Sequence, residues 1–398
     1  MTRHSSLITH HSSLLQGWWF YLCVSVVVAL LYGWLLKSGR VTWRPLQPPT
    51  THASAAAPPV VRGTSSVGSP AAADTPSPEK IFPARSPARR VPARSAVSSA
   101  SRWDQELDSQ RMLEVLQRKP RLAMALSVWT MLGAGLGISG LALSVRAMRT
   151  GRLATLLRAP SRLSAGWSFG DLGRVVWLVV LLAGLFPLAR LSLSRAGLPL
   201  AVDEHLWSVV AMILLDGLVV AMVWALAASK TRAPAGWFGL SRQTAPGAIT
   251  QALTGYVGCF PWIFGLLWLA VRIANRFGIA PSMEAIHELL FVEGRALTVA
   301  LTVVLACVIG PVAEEVFFRG MVFATLRRST SKTVAMLASS SLFAAMHTNL
   351  IAFVPIVALG CVLAHLYERS GSLAGPIVVH MVHNTFLVGL GLTARELF

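Results

Sequence analysis

Pro311-Val312-Ala313-Glu314-Glu315-Val316-Phe317-Phe318-Arg319-Gly320 follows an uncharged apolar run, Ala296 to Ile309. The apolar pattern continues to about Arg328 and reads as one membrane helix. Two adjacent carboxylates therefore stand inside a segment that should carry none. An ionised carboxylate at mid-bilayer costs roughly 3 kcal/mol on insertion scales, so it is kept for pairing, transport or catalysis. Two more polar insertions follow on apolar segments, His347 after Phe343 and His380 before Asn384.

The composition agrees with a membrane location. Of 398 residues, 54% are hydrophobic and 13% charged. That excludes an ordinary soluble domain and predicts an all-α polytopic membrane protein with eight to nine transmembrane helices. The formal net charge of +18 would also suit a nucleic-acid binder. Many Arg residues, however, gather at the ends of apolar runs, and no nucleic-acid motif is present. Anchoring at a membrane surface accounts for them, so lipid is an expected partner and nucleic acid is not. Cys23, Cys259, Cys307 and Cys361 each lie singly in an apolar segment, which points to packing rather than a disulfide or a metal site.

Four regions follow along the chain. Residues 1–44 hold an uncharged segment, Gly17 to Leu36, long enough to span. Lys37-Ser38-Gly39-Arg40 offers no clear cleavage site, so an uncleaved anchor is expected. Residues 45–100, dominated by Ala, Pro, Ser and Thr, read as a disordered linker. Residues 101–234 open with an amphipathic helix at 103–118 and add spans at 122–145, 172–193 and 206–228. Residues 235–398 add 249–271, 296–328, 333–347, 351–367 and 373–392. If the spans alternate, the basic stretch 146–162 and the loops bearing Lys230, Arg327 and Arg369 share one side, the cytoplasmic one.

Residues four apart share a helix face. Glu315 and Arg319 have that spacing in the favourable order, and are expected to pair. Glu314 is rotated about 100° away and needs a partner across the bundle. Counting from the turn near Thr330, Glu314 and His347 both fall roughly 25 Å up, while His380 and Asn384 fall roughly 14 and 20 Å above the turn near Gly371. The polar groups thus converge on one staggered layer.

The residue types suggest a chemistry. A desolvated carboxylate can act as general base towards water, a neutral His can hold that water, and a second His with an Asn can donate to an oxyanion. Glu314, His347 and His380 could instead ligate a divalent metal such as zinc, although no H-E-x-x-H is present. Asp216, alone in its helix, reads as a hydrogen-bonding partner of a neighbouring helix, with a functional role as the rival. His365 is expected to bond locally, His383 to lie off the His380–Asn384 face, and His205 and His287 to fall in connecting segments. His4, His10, His11 and His52 lie in polar segments.

Glu314-Glu315-x-x-x-Arg319, Phe343-x-x-x-His347 and His380-x-x-x-Asn384, each on its own segment, resemble the CPBP family. That family comprises the CAAX prenyl endopeptidases and the bacterial membrane proteins related to bacteriocin processing and self-immunity. The resemblance covers about residues 235–398, where Trp237-Phe238-Gly239-Leu240 is similar to the usual entry of such domains. It implies an intramembrane endopeptidase in a bacterial plasma membrane, cutting membrane-associated and, as one family option, prenylated substrates. Glu314 and His347 would activate water, His380 and Asn384 would stabilise the oxyanion, and Glu315, Arg319 and Phe343 would support them, without a metal. A catalytically silent scaffold or immunity factor is the alternative. A proton-coupled transporter would use Glu314 and Asp216, but no second such segment gives the internal repeat it would need.

Overall fold

The computed structural model describes residues 110, 112–151, 163, 166–195, 203–279, 289–291 and 293–395. The expected anchor at 17–36, the linker at 45–100, half of the helix expected at 103–118, His287 and much of the basic stretch lie outside the described residues; residues 112–118 are helical.

Among the described residues, eight helices of 15 residues or more follow in chain order: α1 (Pro120–Arg149), α2 (Phe169–Arg195), α3 (Glu204–Lys230), α4 (Ala245–Phe277), α5 (Ala296–Ser329), α6 (Lys332–Met346), α7 (Phe353–Ser370) and α8 (Ala374–Arg395). Seven are long and apolar enough to cross a membrane; α6, with 15 residues, is apolar but shorter. The chain is an integral, multi-pass membrane protein. Of the nine spans expected, eight appear as helices, and the first falls outside the described residues.

Several helix ends are written in the sequence. Asp203 caps α3, its carboxylate accepting from the backbone N–H groups of His205 and Leu206. Ser331 caps α6 through the N–H of Val334. Gly371 ends α7 in the left-handed conformation, at φ 68°. Gly239, at φ 63°, meets that turn so closely that a Cβ would fall 2.1 Å from the carbonyl oxygen of Gly371. Leu373 N–H donates to Phe238 O, and Ser372 Oγ to Gly239 O. The Trp237–Leu240 segment is thereby fixed to the start of α8.

The helices before residue 235 share the core of those after it. Trp167, Val175, Val223 and Ala227 pack with Phe238, Val316, Phe323, Tyr367 and Leu373 in one buried cluster. Further along α3, Val209, Met212 and Ile213 pack on Leu301, Leu305 and Ile309 of α5. The helical period places Val209, Asp216 and Val223 on one stripe. That stripe runs along α5 and carries Asp216 in its middle.

Charge anchors one end of the bundle. Lys230 at the end of α3 pairs with Asp171 at the start of α2, at 2.6 Å. Arg327 at the end of α5 pairs with Glu368 at the end of α7, at 2.9 Å. Arg328 donates to the carbonyl of Trp167. The loops that carry Lys230, Arg327 and Arg369 therefore lie at the same end, as the charge pattern required.

Candidate active site

The site is built on α5, which does not wind regularly. Leu305–Ile309 and Glu315–Phe323 are π-helical, with one ordinary stretch, Gly310–Glu314, between them. Pro311 gives a reason for the first irregularity. It has no N–H to offer Cys307, and its ring crowds that carbonyl; an extra residue in the turn relieves both problems. Wider winding disturbs the regular ladder and turns carbonyl groups towards other helices. Asn384 Nδ2 donates to Ala306 O at 2.9 Å, Ser339 Oγ to Phe318 O at 3.2 Å, and Trp167 Nε1 to Gly320 O at 2.6 Å.

The adjacent glutamates divide sharply. Glu315 is 0% exposed and pairs with Arg319, 1% exposed, at 2.7 Å. The same oxygen, Oε1, receives His380 Nδ1 at 2.9 Å. The Arg319 guanidinium lies 4.3 Å from the centre of the Phe343 ring and reaches Gly360 O at 3.4 Å. Two charges this deep persist only because each meets the other and further polar groups. Glu314, in contrast, is 34% exposed along its side chain. Its Oε2 is nevertheless buried and has no hydrogen-bond partner, standing 3.6 Å from His380 Nε2.

His380 is thus wedged between both carboxylates. A carboxylate paired with Arg319 can only accept, so the proton on Nδ1 of His380 points at Glu315, and Nε2 is the atom turned towards Glu314. This is the arrangement by which a buried carboxylate orients an imidazole and supports a positive charge on it. His347 ends α6, half-buried, with Nδ1 donating to the carbonyl of Phe343 at 2.9 Å. That bond leaves Nε2 as its free nitrogen. The Phe343 ring stands between the two histidines, 4.7 Å from His347 and 5.7 Å from His380, centre to centre.

The structure therefore brings Glu314, Glu315, Arg319, Phe343 and His380 into direct contact. Asn384 joins them through Ala306 of the first π segment. His347 reaches them through Phe343, and no hydrogen bond links it to Glu314. Other sequence expectations need correction. His365 was expected to bond locally, but its Nδ1 is buried without a hydrogen-bond partner. Asp216 makes no hydrogen bond to a neighbouring helix among the described residues; its charged neighbour is Glu314. His205 belongs to the first turn of α3, not to a connection. His383 needs no correction: it faces α4, away from the partners of His380 and Asn384 on α5, and is buried and bonded to the hydroxyl of Tyr256 at 2.8 Å.

A second polar cluster escaped the sequence reading. It joins the start of α3 to the start of α5. His205 Nδ1 lies 2.6 Å from Glu293, and Arg295 holds Glu293 through its backbone N–H and two side-chain nitrogens, at 2.8 to 3.0 Å. Arg295 also pairs with Asp203. The bonds from Arg295, then that from His205, hold the Glu293 carboxyl far below the usual range. Burial opposes charge on Asp203, but the N–H groups of Leu206 and His205, with Arg295, outweigh it and lower that carboxyl too. The only signal was Asp203 itself, a capping residue just before an apolar run.

Metal binding can be tested on both clusters. Among the described residues, the set of three ligand-type side chains with atoms within 4.8 Å of one another is Asp203, His205 and Glu293. Arg295 already bridges its two carboxylates, so it fits a salt-bridge junction and not an ion. Glu314, His347 and His380 do not close to such distances.

Part of the chain is similar to known proteins. The family model described as Type II CAAX prenyl endopeptidase Rce1-like matches residues 296–386. The match opens at the first residue of α5 and ends in α8, so it takes in all seven residues from Glu314 to Asn384 singled out above. This segment is similar to that family. A Bacillus subtilis protein described as "Putative membrane peptidase YdiL" is 33% identical over 112 residues, which cover 28% of this chain and 45% of that protein. The chain thus spans less than half the length of that relative. No solved structure matches the chain. Helices α1 to α4 lie outside the matched residues 296–386.

Proposed function

We propose that the chain is an intramembrane endopeptidase in which Glu314 activates water against a peptide bond. One observation carries this reading: of two adjacent glutamates, Glu315 is fully engaged by Arg319 and His380, while Glu314 keeps a buried, unpartnered oxygen beside His380 Nε2 on a side chain that is still 34% exposed. An unpartnered buried carboxylate oxygen is costly unless it serves something that arrives. Water seated between Glu314 Oε2 and the histidines would lose its proton to Glu314 as it attacks the carbonyl. His380, braced by Glu315, and the second N–H of Asn384 would donate to the developing oxyanion. His347 would hold the water or pass the proton to the leaving amine.

The substrates are membrane-associated peptides or proteins, and prenylated C-terminal segments are the class that the name of the matching family model suggests. The test is peptidomics of membranes holding the wild-type chain or Glu314→Gln. Peptides that depend on the wild type should fall by at least about 100-fold with the variant. Unchanged cleavage by a properly inserted Glu314→Gln protein would overturn the assignment and leave a scaffold with the same fold. Chelation should change the rate by no more than about twofold, since no step needs a Lewis acid. Loss on chelation with recovery in zinc would move Glu314, His347 and His380 to a metal mechanism.

A further inference from the structure

One wall of the site is short. α6 has 15 residues and ends at His347. At about 1.5 Å per residue it rises roughly 22 Å, against a hydrocarbon core of roughly 30 Å. Its neighbours α3 and α4 run for 27 and 33 residues. The stop is built into the sequence. Thr348 turns the chain in the left-handed conformation, at φ 51°, and Asn349 Oδ1 accepts the N–H of Ala352 ahead of α7, at 3.1 Å. Residues 347–352 therefore leave the helix before the far edge of the bilayer. Irregular backbone at that depth persists only where protein buries it or water reaches it. Met346 and Leu350 are exposed, so the turn is not wrapped in protein. His347 sits on the rim of this low wall.

Burial along α5 gives a direction. From Glu315 to Thr325, towards the turn at Thr330, every residue but Phe317 is buried. The same end is clasped by Lys230 on Asp171, by Arg327 on Glu368 and by Arg328 on the carbonyl of Trp167. In the other direction the packing loosens. Val312 and Ile309 are half-buried, and Val308 and Val304 are exposed. The exposed part of Glu314 thus borders a sealed stretch on one side and a loosely covered one on the other.

We propose that the site opens at the end of the bundle remote from Lys230, Arg327 and Arg369, over the turn 347–352, and is sealed at the end that carries those charges. Basic loops stay on the cytoplasmic side, so the opening faces away from the cytoplasm. This rests on the peptidase reading and narrows its substrates. The bond that is cut lies in the outer half of the membrane or just beyond it, in a membrane-anchored segment that emerges on the non-cytoplasmic side. A lipid-bearing tail on the cytoplasmic face would meet the sealed end.

The experiment uses the full chain in intact bacterial spheroplasts and in inverted membrane vesicles. The probe is a small, charged, membrane-impermeant methanethiosulfonate. Labelling is read peptide by peptide in a mass spectrometer, so the native cysteines stay in place. Glu314→Cys should react at least about tenfold faster in spheroplasts than in inverted vesicles, since access limits thiol exchange. Ser329→Cys, at the exposed charged end of α5, should react only in inverted vesicles. Faster labelling of Glu314→Cys from the cytoplasmic side, or none from either side, would overturn the opening. A Ser329→Cys chain that labels in spheroplasts would overturn its direction. Where Glu314→Cys fails to insert, His347→Cys carries the same expectation. No substrate enters the labelling, so loss of the peptidase assignment and loss of the opening remain separate results.

Discussion

The two polar clusters of this molecule are built from similar side chains and resolve differently. At the junction of α3 and α5, Asp203 and Glu293 both meet Arg295, and Glu293 also meets His205. Every acid there has a cation. In mid-helix, Glu315 has Arg319 and His380, while Glu314 is left facing a histidine at 3.6 Å. The difference separates holding from doing. Charges that complete one another fix helices in place. On the proposed reading, the carboxylate left incomplete would be the reactive one.

The strongest way to break this comparison is to remove the two adjacent acids one at a time. Glu314→Gln should abolish cleavage while leaving the unfolding midpoint in detergent nearly unchanged, because it removes a charge that has no cation committed to it. Glu315→Gln should do more to the fold. It strands the buried Arg319 guanidinium, a loss of about 3–5 kcal/mol for a broken buried pair, and the unfolding midpoint should drop accordingly. It also frees His380 to turn. Equal losses of stability in the two variants would remove the distinction between a bracing and a reactive glutamate.

A sharper division concerns the histidines. His380 is gripped at Nδ1 by Glu315, and His347 at Nδ1 by a backbone carbonyl. His380→Ala should therefore cost both stability and rate, since it also leaves Glu315 with one partner fewer. His347→Ala, at a half-buried helix end, should lower kcat by about 10²-fold with little change in the unfolding midpoint. A His347 variant that unfolds as readily as the His380 variant would place it in the frame of the site instead.

Much of this was legible because the membrane makes ionisable residues conspicuous. Glu314, Glu315 and Arg319 in one apolar run needed only helical spacing to be read as a pair and a remainder. Spacing within one helix, however, cannot say which atom of another helix arrives. The wedge of His380 between both glutamates depends on how α8 packs, and the carbonyls that hold Asn384 and Trp167 depend on π winding that Pro311 alone hinted at. Asp216 looked solitary for the same reason. Its seven-residue spacing from Val209 and Val223 was visible, but its charged neighbour lies almost a hundred residues along the chain. The Glu293–Arg295 junction was hidden because both residues sit in a short polar connection with no periodicity to interpret.

That junction gives the smallest expected effect and tests the other side of the comparison. Asp203 and Glu293 are both held below the ordinary carboxylate range in the folded protein. The unfolded chain therefore takes up more protons in acid, and the contribution of these groups is complete above the ordinary range, about pH 4, and fades as the pH falls through their lower folded values. Arg295 is 53% exposed, so solvent and salt screen the cluster and keep its contribution modest. Glu293→Gln should lower the unfolding midpoint by only a few degrees at pH 7, and the gap from wild type should narrow in strong acid and in high salt. Cleavage should persist, since neither acid touches the site. A Glu293→Gln protein that keeps its stability but loses activity would mean that the junction is doing more than clasping two helices, and that the line drawn between the two clusters lies in the wrong place.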